Sequence, residues 1–352
     1  MTSPPPAKPS LRSLRETEAP RRKAVSVSAE SMVRFGFLQP GQTLPLVIEP
    51  AMEPLDPFAW AEENLDLIAR KLIEHGGILF RNFRLSTAED FDRFSRILIP
   101  HRVSYVEGSS PRLSLGEKIY TSTEYPADQF VSMHNELSYA HKWPSRLLFF
   151  CETAPQQGGE TPIADSRKVL AALSPELRQR FLDKGVCYLR NLHGGRGAGL
   201  SWQTVFETDD RSVVESYCRE GGIELRWQED GGLWTRQVRP AVREHPATGD
   251  AVWFNQVDQW HPSNLEKEVA RLLLASCAES ELPIYATYGD GTPFAEEDLD
   301  EIRAVFRQSL VTFPWQRGDA LLVDNMLTAH GRMPFVPPRR VLVAMGEAAS
   351  LS

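Results

Sequence analysis

The first regular pattern of apolar positions lies at residues 58–74. Leu65, Ile68 and Leu72 recur there at helical spacing, and Gly76 supplies a stop signal after them. The segment GILF that follows consists of a glycine and three apolar residues, and it predicts a buried strand. The sequence therefore predicts a helix that leads directly into a strand of the core.

Further helices are predicted from a capping signal and from amphipathic spacing. Ser86 and Glu89 form the pattern of a capping box, so a short helix is expected to begin there and to continue to about residue 98. Two longer amphipathic stretches, at about 264–278 and 295–309, predict helices that interrupt the second half of the chain.

From about residue 101 the apolar pattern changes to short β-branched or aromatic segments separated by Gly, Pro, Asn and Asp. Many short strands at such a spacing are typical of an antiparallel barrel or a double-sheet jelly roll. We therefore expect a mainly β fold with α-helical insertions. The segments that carry this pattern are RLLFFCE, GVCYLRN, AVWFNQ, ATYGDG, DALLVDN and RRVLVAMG.

Composition and charge narrow the classes of function. The 352 residues include 39 Lys and Arg against 47 Asp and Glu, which gives a formal charge of −8 and argues against nucleic acid as a partner. Residues 1–28 contain PPP, scattered serines and mainly basic charges without apolar periodicity, so they predict a disordered basic arm. No apolar run approaches the roughly 18 to 20 residues of a membrane span, and the N-terminus lacks the apolar stretch of a secretion signal. We expect a soluble, cytoplasmic protein without a membrane partner.

The cysteines give no sign of a disulfide framework or a zinc site. They are far apart in the sequence and form no C-x-x-C pair, which favours reduced thiols that fill the core. The four are Cys151, Cys187, Cys218 and Cys277.

The candidate chemistry begins at His134 and Glu136 in the segment SMHNELSYA. On a strand, positions i and i+2 project from the same face, so this imidazole and this carboxylate can converge on one ion while Asn135 points away. Of the eight histidines in the sequence, His134 is the one with an acidic residue two positions later. The pair is therefore a candidate for two ligands of a metal ion.

His330 is the best candidate for a third ligand. It follows an apolar strand segment and precedes a glycine, as expected for a residue at a strand end that lines a cavity. Three other histidines compete with it, but each fits a structural role better: His193 lies in a glycine-rich turn, His245 precedes a proline, and His261 leads into an amphipathic helix.

Two histidines and one carboxylate on one side of an ion leave its opposite side open for substrates. This facial triad is typical of non-haem Fe(II) oxygenases. Such enzymes usually need a keto-acid co-substrate whose distant carboxylate requires a cationic partner. Arg340, ten residues beyond His330, can supply a bidentate guanidinium. Its neighbour Arg339 should face the opposite side of the strand, so only one of the two can enter the pocket.

With these residues in place, the sequence resembles the TauD/TfdA (taurine dioxygenase) family of Fe(II)- and 2-oxoglutarate-dependent oxygenases. Within that family it is most similar to the SyrP-like branch associated with nonribosomal peptide pathways. The resemblance covers about residues 75–346 and is carried by several ordered blocks: HNELSY, GGETPIADSR, WFNQ, YGDG, WQRGDALLVDN, AHGRMPF and RRVLVAM.

The resemblance implies that His134, Glu136 and His330 bind iron. It also implies that Arg340, assisted by the Thr161 hydroxyl, binds the distal carboxylate of 2-oxoglutarate. The family fold is a distorted jelly roll, the cupin-like double-stranded β-helix, with helical insertions. We therefore expect a single catalytic domain at 29–352, with its jelly-roll core from about residue 75, after the N-terminal arm.

Two departures from the family pattern bear on the substrate and the reaction. Sulfonate-oxidising members carry a second arginine four residues after the co-substrate arginine, and Ala344 occupies that position here. Taurine or another small sulfonate is therefore not the expected substrate. Glu136 stands where many taurine-type members carry Asp, and it fills the iron site that related halogenases leave vacant. Hydroxylation is therefore expected rather than halogenation.

The leading hypothesis is an oxygenase that hydroxylates an unactivated C–H bond, at the β-carbon of an amino acid or of an aminoacyl group on a carrier protein. The same cofactors, Fe(II), 2-oxoglutarate and molecular oxygen, would also support desaturation, epoxidation or cyclisation. A third hypothesis is a metal-binding jelly-roll protein that binds a ligand without turnover, but such a protein needs no co-substrate arginine or threonine. The residues that contact the substrate are expected on loops at 104–130 and 194–210, and the oligomeric state is left open.

Overall fold

A computed structural model of the chain describes residues 1, 32–109, 112, 116, 118–122, 125–276, 278 and 281–350. The predicted arm at 1–28, apart from Met1, and Cys277 lie outside these residues. Eighteen strands are formed within the described ranges: β1 Val33–Phe37, β2 Leu46–Pro50, β3 Gly77–Phe80, β4 Ile119–Thr121, β5 Val131–His134, β6 Lys142–Thr153, β7 Gln157–Gly158, β8 Ile163–Asp165, β9 Val186–Leu192, β10 Glu224–Trp227, β11 Leu233–Arg239, β12 Val242–Glu244, β13 Ala251–Trp253, β14 Ile284–Tyr288, β15 Ala320–Asp324, β16 Thr328–Arg332, β17 Phe335–Val336 and β18 Arg340–Ser350.

The helices lie between strands along the chain, and they confirm the expected mainly β fold with α insertions. In the described part of the chain they are α1 Pro57–Glu63, α2 Leu65–His75, α3 Ala88–Leu98, α4 Ser166–Ala172, α5 Pro175–Lys184, α6 Trp202–Phe206, α7 Arg211–Glu220, α8 Lys267–Ser276 and α9 Glu296–Ser309. None of these described helices is long and apolar enough to cross a membrane.

The largest sheet contains seven strands in the order β1-β2-β3-β15-β6-β18-β4. Its neighbours pair antiparallel except β2 and β3, which run parallel. Strand β6 lies between β15 and β18 and has two buried faces: Leu148 and Phe150 pack in the cluster beneath α1–α3, whereas Leu147, Phe149 and Cys151 belong to the opposite cluster. The sheet therefore separates an outer helical layer from an inner layer. It begins with β1, earlier in the chain than the core expected from about residue 75.

A three-stranded sheet, β5-β16-β8, lies apart from the seven-stranded sheet in the strand pairing. Its central strand β16 pairs antiparallel with both neighbours, and His330 stands directly opposite His134 in the register. A four-stranded sheet, β10-β11-β9-β14, contributes further inward-facing side chains, including Tyr188. The two predicted histidine ligands are thus cross-strand neighbours.

The helix predicted at 58–74 is two helices that meet at Asn64. The backbone of Asn64 departs from helical geometry, and its side-chain amide donates to the Trp60 carbonyl at 2.7 Å. Asn64 therefore ends α1 and precedes α2. The predicted stop is confirmed: Gly76 adopts a left-handed conformation (φ 76°), and a Cβ there would lie 2.7 Å from the Thr328 hydroxyl.

The capping box of α3 lies one residue later than predicted. Thr87, not Ser86, is the N-cap; its hydroxyl accepts from the Asp90 backbone N–H, and the Asp90 carboxylate accepts from the Thr87 backbone N–H. Aspartate at the third helical position performs the reciprocal role that the sequence pattern assigned to Glu89. Among the described cysteines, Cys151, Cys187 and Cys218 are buried free thiols, as expected.

Candidate active site

The three residues predicted as metal ligands converge in the structure. His134 ends β5, and His330 lies opposite it on β16 with the two ring centroids 4.4 Å apart. Each histidine Nε2 lies 3.9 Å from Oε2 of Glu136. One potential ligand atom from each of the three lies within 4.8 Å of the other two, and all three side chains are buried.

Glu136 reaches this position by a different route from the one that the i, i+2 pattern suggests. Strand β5 ends at His134, and Glu136 lies in the turn that follows. Asn325 fixes that turn: its Oδ1 accepts from the Glu136 backbone N–H at 2.7 Å, and its Nδ2 donates to the Glu136 carbonyl at 2.8 Å. Sequence reasoning did not identify Asn325, because a buried asparagine that holds a distant turn has no local signature.

The protonation states of the ligands suit a cation. Burial lowers the pKa of His330 well below its ordinary value, so the imidazole is neutral and can donate a lone pair. Burial alone would raise the pKa of Glu136, but the nearby Arg112 charge and the two histidines hold it below its ordinary value. Glu136 is therefore an ionised carboxylate.

A hydrogen bond fixes the orientation of the His134 ring. Its Nδ1 lies 2.8 Å from the carbonyl of Ser132. Nε2 of Gln259 also lies 2.9 Å from this Nδ1, so Nδ1 is held on the outer side of the ring and the ring's Nε2 faces Glu136. Gln259 donates to the same Ser132 carbonyl at 3.1 Å and lines the cavity. Such outer partners orient metal-binding histidines.

A cavity of about 210 Å³ opens in front of the triad. Its walls combine aromatic and aliphatic surface with polar and charged side chains. The lining residues that carry chemistry or charge are Arg112, His134, Glu136, Thr161, His330, Arg332 and Arg339.

Of the two adjacent arginines, Arg339 lines this cavity, and the prediction that Arg340 enters it is wrong. Arg340 lies at the edge of the fold, with its side chain 48% exposed and paired with Glu152 at 2.7 Å. Arg339 donates to the Gly159 carbonyl at 2.8 Å and lies 3.4 Å from the Thr161 hydroxyl. Burial lowers the pKa of Arg339 to about 10, so it remains a cation at neutral pH. The predicted proximity of Thr161 to a cationic clamp is present, with Arg339 as the cation.

The alternation of side chains between the two faces of β18 explains why Arg339, and not Arg340, lies in the cavity. Val341, Val343 and Met345 pack in the inner cluster, whereas Leu342 and Ala344 pack in the outer one. Arg339 shares the odd-numbered parity of the inner face, and Arg340 belongs to the other set. The position four residues after the cavity arginine becomes Val343, which is fully buried. Counted from Arg339, the position where sulfonate-oxidising members were expected to carry a second arginine therefore also lacks one.

The three rival histidines have structural roles in the described structure. His245 lies 3.2 Å from the Asp324 carboxylate and is buried. His193 accepts from the Gly195 backbone, and His261 accepts from the Ser263 backbone at the start of a short 3-10 turn. None of the three lines the cavity.

The sequence analysis also missed Arg112. Its guanidinium, 6% exposed, donates to Oε2 of Glu136 at 2.5 Å and lies over the Tyr105 ring at 4.2 Å from the ring centroid. Arg112 belongs to the 104–130 loop expected to contact the substrate, but a lone arginine in a loop of unknown course could not be assigned a role.

Comparison with known proteins decides the family. The sequence profile of the family described as "Taurine catabolism dioxygenase TauD, TfdA family" matches residues 43–345. The chain belongs to this family. It is therefore a dioxygenase of the Fe(II)- and 2-oxoglutarate-dependent type, as the resemblance implied, and molecular oxygen is its co-substrate.

Two relatives and one solved structure extend the comparison. The dapdiamide synthesis protein DdaC of Enterobacter agglomerans is 41% identical over 274 residues, which cover 78% of this chain and 83% of that protein. A clavaminate synthase-like protein of Arabidopsis thaliana is 33% identical over 286 residues, covering 78% and 82% respectively. The crystal structure of PvcB from Pseudomonas aeruginosa superposes with a TM-score of 0.53 at 16% identity, covering 91% of this chain and 93% of PvcB. The similarity to PvcB concerns the fold, and it agrees with the expected jelly roll.

The residues present fit an iron ion. Two imidazole nitrogens and one carboxylate form the donor set that suits non-haem Fe(II), and the contact between His134 Nδ1 and Ser132 turns the other ring nitrogen towards the other ligands. The carboxylate and the two imidazoles leave the cavity side open, where Arg339 and Thr161 lie.

Proposed function

We propose that this dioxygenase hydroxylates an unactivated C–H bond, at the β-carbon of an amino acid or of an aminoacyl group carried by a protein, in specialised metabolism. The observation that carries the proposal is the complete His134, Glu136 and His330 set, which faces a cavity that also holds Arg339 and Thr161. A protein that only binds a ligand would need neither the cationic clamp nor the open side of the triad.

Each group in the cavity has a distinct task under this proposal. His134, Glu136 and His330 hold Fe(II), and Arg339 with Thr161 binds the distal carboxylate of 2-oxoglutarate. When bound, the iron and the co-substrate supply the oxidising chemistry, in which oxygen and 2-oxoglutarate yield succinate, carbon dioxide and one oxygen atom inserted into the substrate. The substrate side of the cavity orients the C–H bond that reacts.

The size of the cavity and the biosynthetic relative support a compact substrate. About 210 Å³ lies below the roughly 300–1,000 Å³ of sites for drug-sized ligands. DdaC is a dapdiamide synthesis protein, so a relative at 41% identity acts in the synthesis of a specialised metabolite. The carboxylate ligand Glu136 is present, which favours hydroxylation over halogenation.

The test measures succinate from 2-oxoglutarate with Fe(II) and oxygen, while free amino acids and carrier-loaded aminoacyl groups are offered as substrates. Oxygen-dependent succinate with wild type, and none with Glu136→Ala, is the expected result. Arg340→Ala is the matched control for surface charge and should behave as wild type. Absence of oxygen-dependent succinate under every condition would refute the proposal.

Mass analysis of the product separates the possible outcomes. Hydroxylation adds the mass of one oxygen atom, whereas desaturation or ring closure removes two hydrogens. Epoxidation also adds one oxygen but needs an alkene in the substrate, so a saturated amino acid distinguishes it from hydroxylation. A chlorinated product in the presence of chloride would contradict the role given to Glu136.

A further inference from the structure

Arg112 is a cation in the cavity that neither the metal nor the co-substrate explains. Its side chain is buried, and its Nη2 donates to Oε2 of Glu136, the oxygen that also lies nearest both histidine Nε2 atoms. Its guanidinium also lies over the Tyr105 ring. Arg112 is therefore held in place beside the reacting centre.

Much of the hydrogen-bonding capacity of Arg112 is unused. Its Nη1 has the Met345 sulfur at 3.8 Å, which is a weak acceptor, and its buried Nε has no hydrogen-bond partner among the described residues. A guanidinium presents its donors as a fork that matches a carboxylate. The Nε and Nη1 groups of Arg112 can therefore donate hydrogen bonds to a second anion besides Glu136.

The charges around the cavity leave room for that anion. The charges of divalent iron and dianionic 2-oxoglutarate cancel. Glu136 pairs with Arg112 and carries one negative charge, against one positive charge each on Arg112 and Arg339. Arg332 also lines the cavity, but its guanidinium is occupied by the carbonyls of Tyr125 and Gln129 at 2.8 and 2.9 Å and by that of Pro126. With iron and co-substrate bound, the cavity therefore keeps a net positive charge, which an anion bound at the free edge of Arg112 would offset.

We propose that Arg112 binds a carboxylate of the substrate and so determines the substrate class. This inference rests on the proposed function. The substrate is then a free amino acid or another small carboxylic acid, or a carrier-bound acyl group with a second carboxylate. An amino acid tethered through its own α-carboxyl as a thioester has lost that negative charge. Tethered neutral aminoacyl groups are therefore excluded as good substrates.

Acetate is the probe, because it is the smallest carboxylate and needs no knowledge of the substrate. The protein is loaded with Mn(II) and 2-oxoglutarate, and the relaxation of the acetate methyl protons is measured by NMR as acetate is titrated. Saturable relaxation by the paramagnetic ion is expected with acetate and not with neutral acetamide. Arg112→Gln should weaken the acetate response about 10- to 100-fold, the worth of one hydrogen bond to a charged group.

Two variants and one further measurement keep the test decisive. Arg112→Lys should lie between wild type and Arg112→Gln, since lysine keeps the charge but loses the fork. Arg340→Gln removes the same charge from the surface and should leave the response unchanged. The Mn(II) affinity of every variant is measured in parallel, so that acetate binding is compared at equal metal occupancy.

Three results would overturn the proposal: no saturable acetate response in wild type, an equal response in Arg112→Gln, or a loss confined to Mn(II) affinity. The last would make Arg112 only a partner of Glu136. These outcomes are independent of turnover. A protein that binds acetate through Arg112 but forms no succinate would refute the proposed function and leave this inference standing.

Discussion

The two sides of the cavity are constructed differently. The metal side consists of the β5–β16 ladder and the turn after β5, so backbone hydrogen bonds place His134 opposite His330. The substrate side contains residues 105–109 and Arg112, which belong to no strand in the described structure. Side chains from distant parts of the chain hold that segment instead.

Glu107 is at the centre of this support. It is 2% exposed, and its carboxylate accepts from the Tyr217 hydroxyl at 2.9 Å and from the Gln237 amide at 3.0 Å. The carbonyl of Glu107 accepts from Arg190, 83 residues away in the sequence, at 2.9 Å, and from the Tyr139 hydroxyl at 2.5 Å. Burial raises the pKa of Glu107, and the charge of Arg190 opposes that shift.

This difference in construction indicates that metal binding and substrate binding depend on different parts of the fold. The metal chemistry tolerates little displacement, and it lies on strands whose geometry is set by the backbone. The substrate side lies on a loop whose course depends on side chains, and such a loop can be altered without disturbing the iron ligands. Four expected outcomes test this division.

The largest effect is expected from His134→Ala. Loss of even an outer partner of a ligand costs about 10- to 100-fold in metal affinity, and loss of the ligand itself should cost more. Calorimetric titration with Mn(II) should show no site-specific binding, and turnover should disappear while thermal unfolding remains cooperative. His193→Ala, which alters a histidine outside the cavity, is the control. Full metal affinity in His134→Ala would remove His134 from the ligand set.

The second effect compares the two adjacent arginines. Arg339→Ala should weaken 2-oxoglutarate binding by about 2–5 kcal/mol, because it leaves a buried carboxylate without its cationic partner. Arg340→Ala should change the affinity little, because that side chain pairs with Glu152 at the surface. The measurement is the 2-oxoglutarate concentration needed for half-maximal succinate formation. The reverse order of effects would restore Arg340 as the clamp and contradict the cavity geometry.

The sequence was informative wherever a local pattern sets the structure. GILF forms β3 over Gly77–Phe80, and the stretch at 295–309 forms α9 over Glu296–Ser309. The three residues predicted as ligands converge, although the strand argument for Glu136 was incorrect, because the chain turns immediately after His134. Residue type and the two-residue spacing were sufficient to find the pair.

The sequence did not predict the features that depend on how distant parts of the chain pack together. Parity on β18 shows that only one of Arg339 and Arg340 can enter the cavity, but which face is inward depends on how the sheets stack. The roles of Asn325 and Arg112 depend on contacts with Glu136 across 189 and 24 residues of sequence, respectively. The periodicity of apolar residues along the sequence does not predict contacts between residues so far apart.

The third prediction concerns Glu107→Gln, which tests whether the metal side and the substrate side of the cavity can be altered independently. Glutamine has one acceptor oxygen, so either the Tyr217 hydroxyl or the Gln237 amide loses its buried acceptor. The free energy of unfolding should fall by about 1–3 kcal/mol. Mn(II) affinity should stay unchanged, while acetate binding near Arg112 weakens. The exposed pair of Glu224 and Arg236 provides the control variant Glu224→Gln. A matching loss of Mn(II) affinity would show that the two sides are not independent.

The smallest effect is expected from Thr161→Val, which removes a hydroxyl while it keeps the branched shape. The Thr161 oxygen accepts from the Trp315 indole N–H at 3.2 Å and lies 3.4 Å from Arg339 Nη2. Its contribution to 2-oxoglutarate binding is therefore one hydrogen bond from an uncharged hydroxyl that is shared with Trp315 and Arg339, about 1 kcal/mol or roughly a fivefold change in affinity. Thr287→Val, which alters a buried threonine on β14 outside the cavity, should leave that affinity unchanged. If Thr161→Val and Thr287→Val behave alike, the hydroxyl has no part in binding the co-substrate. If Thr161→Val is as damaging as Arg339→Ala, the threonine orients the arginine itself, and the two substitutions combined should then cost no more than either alone.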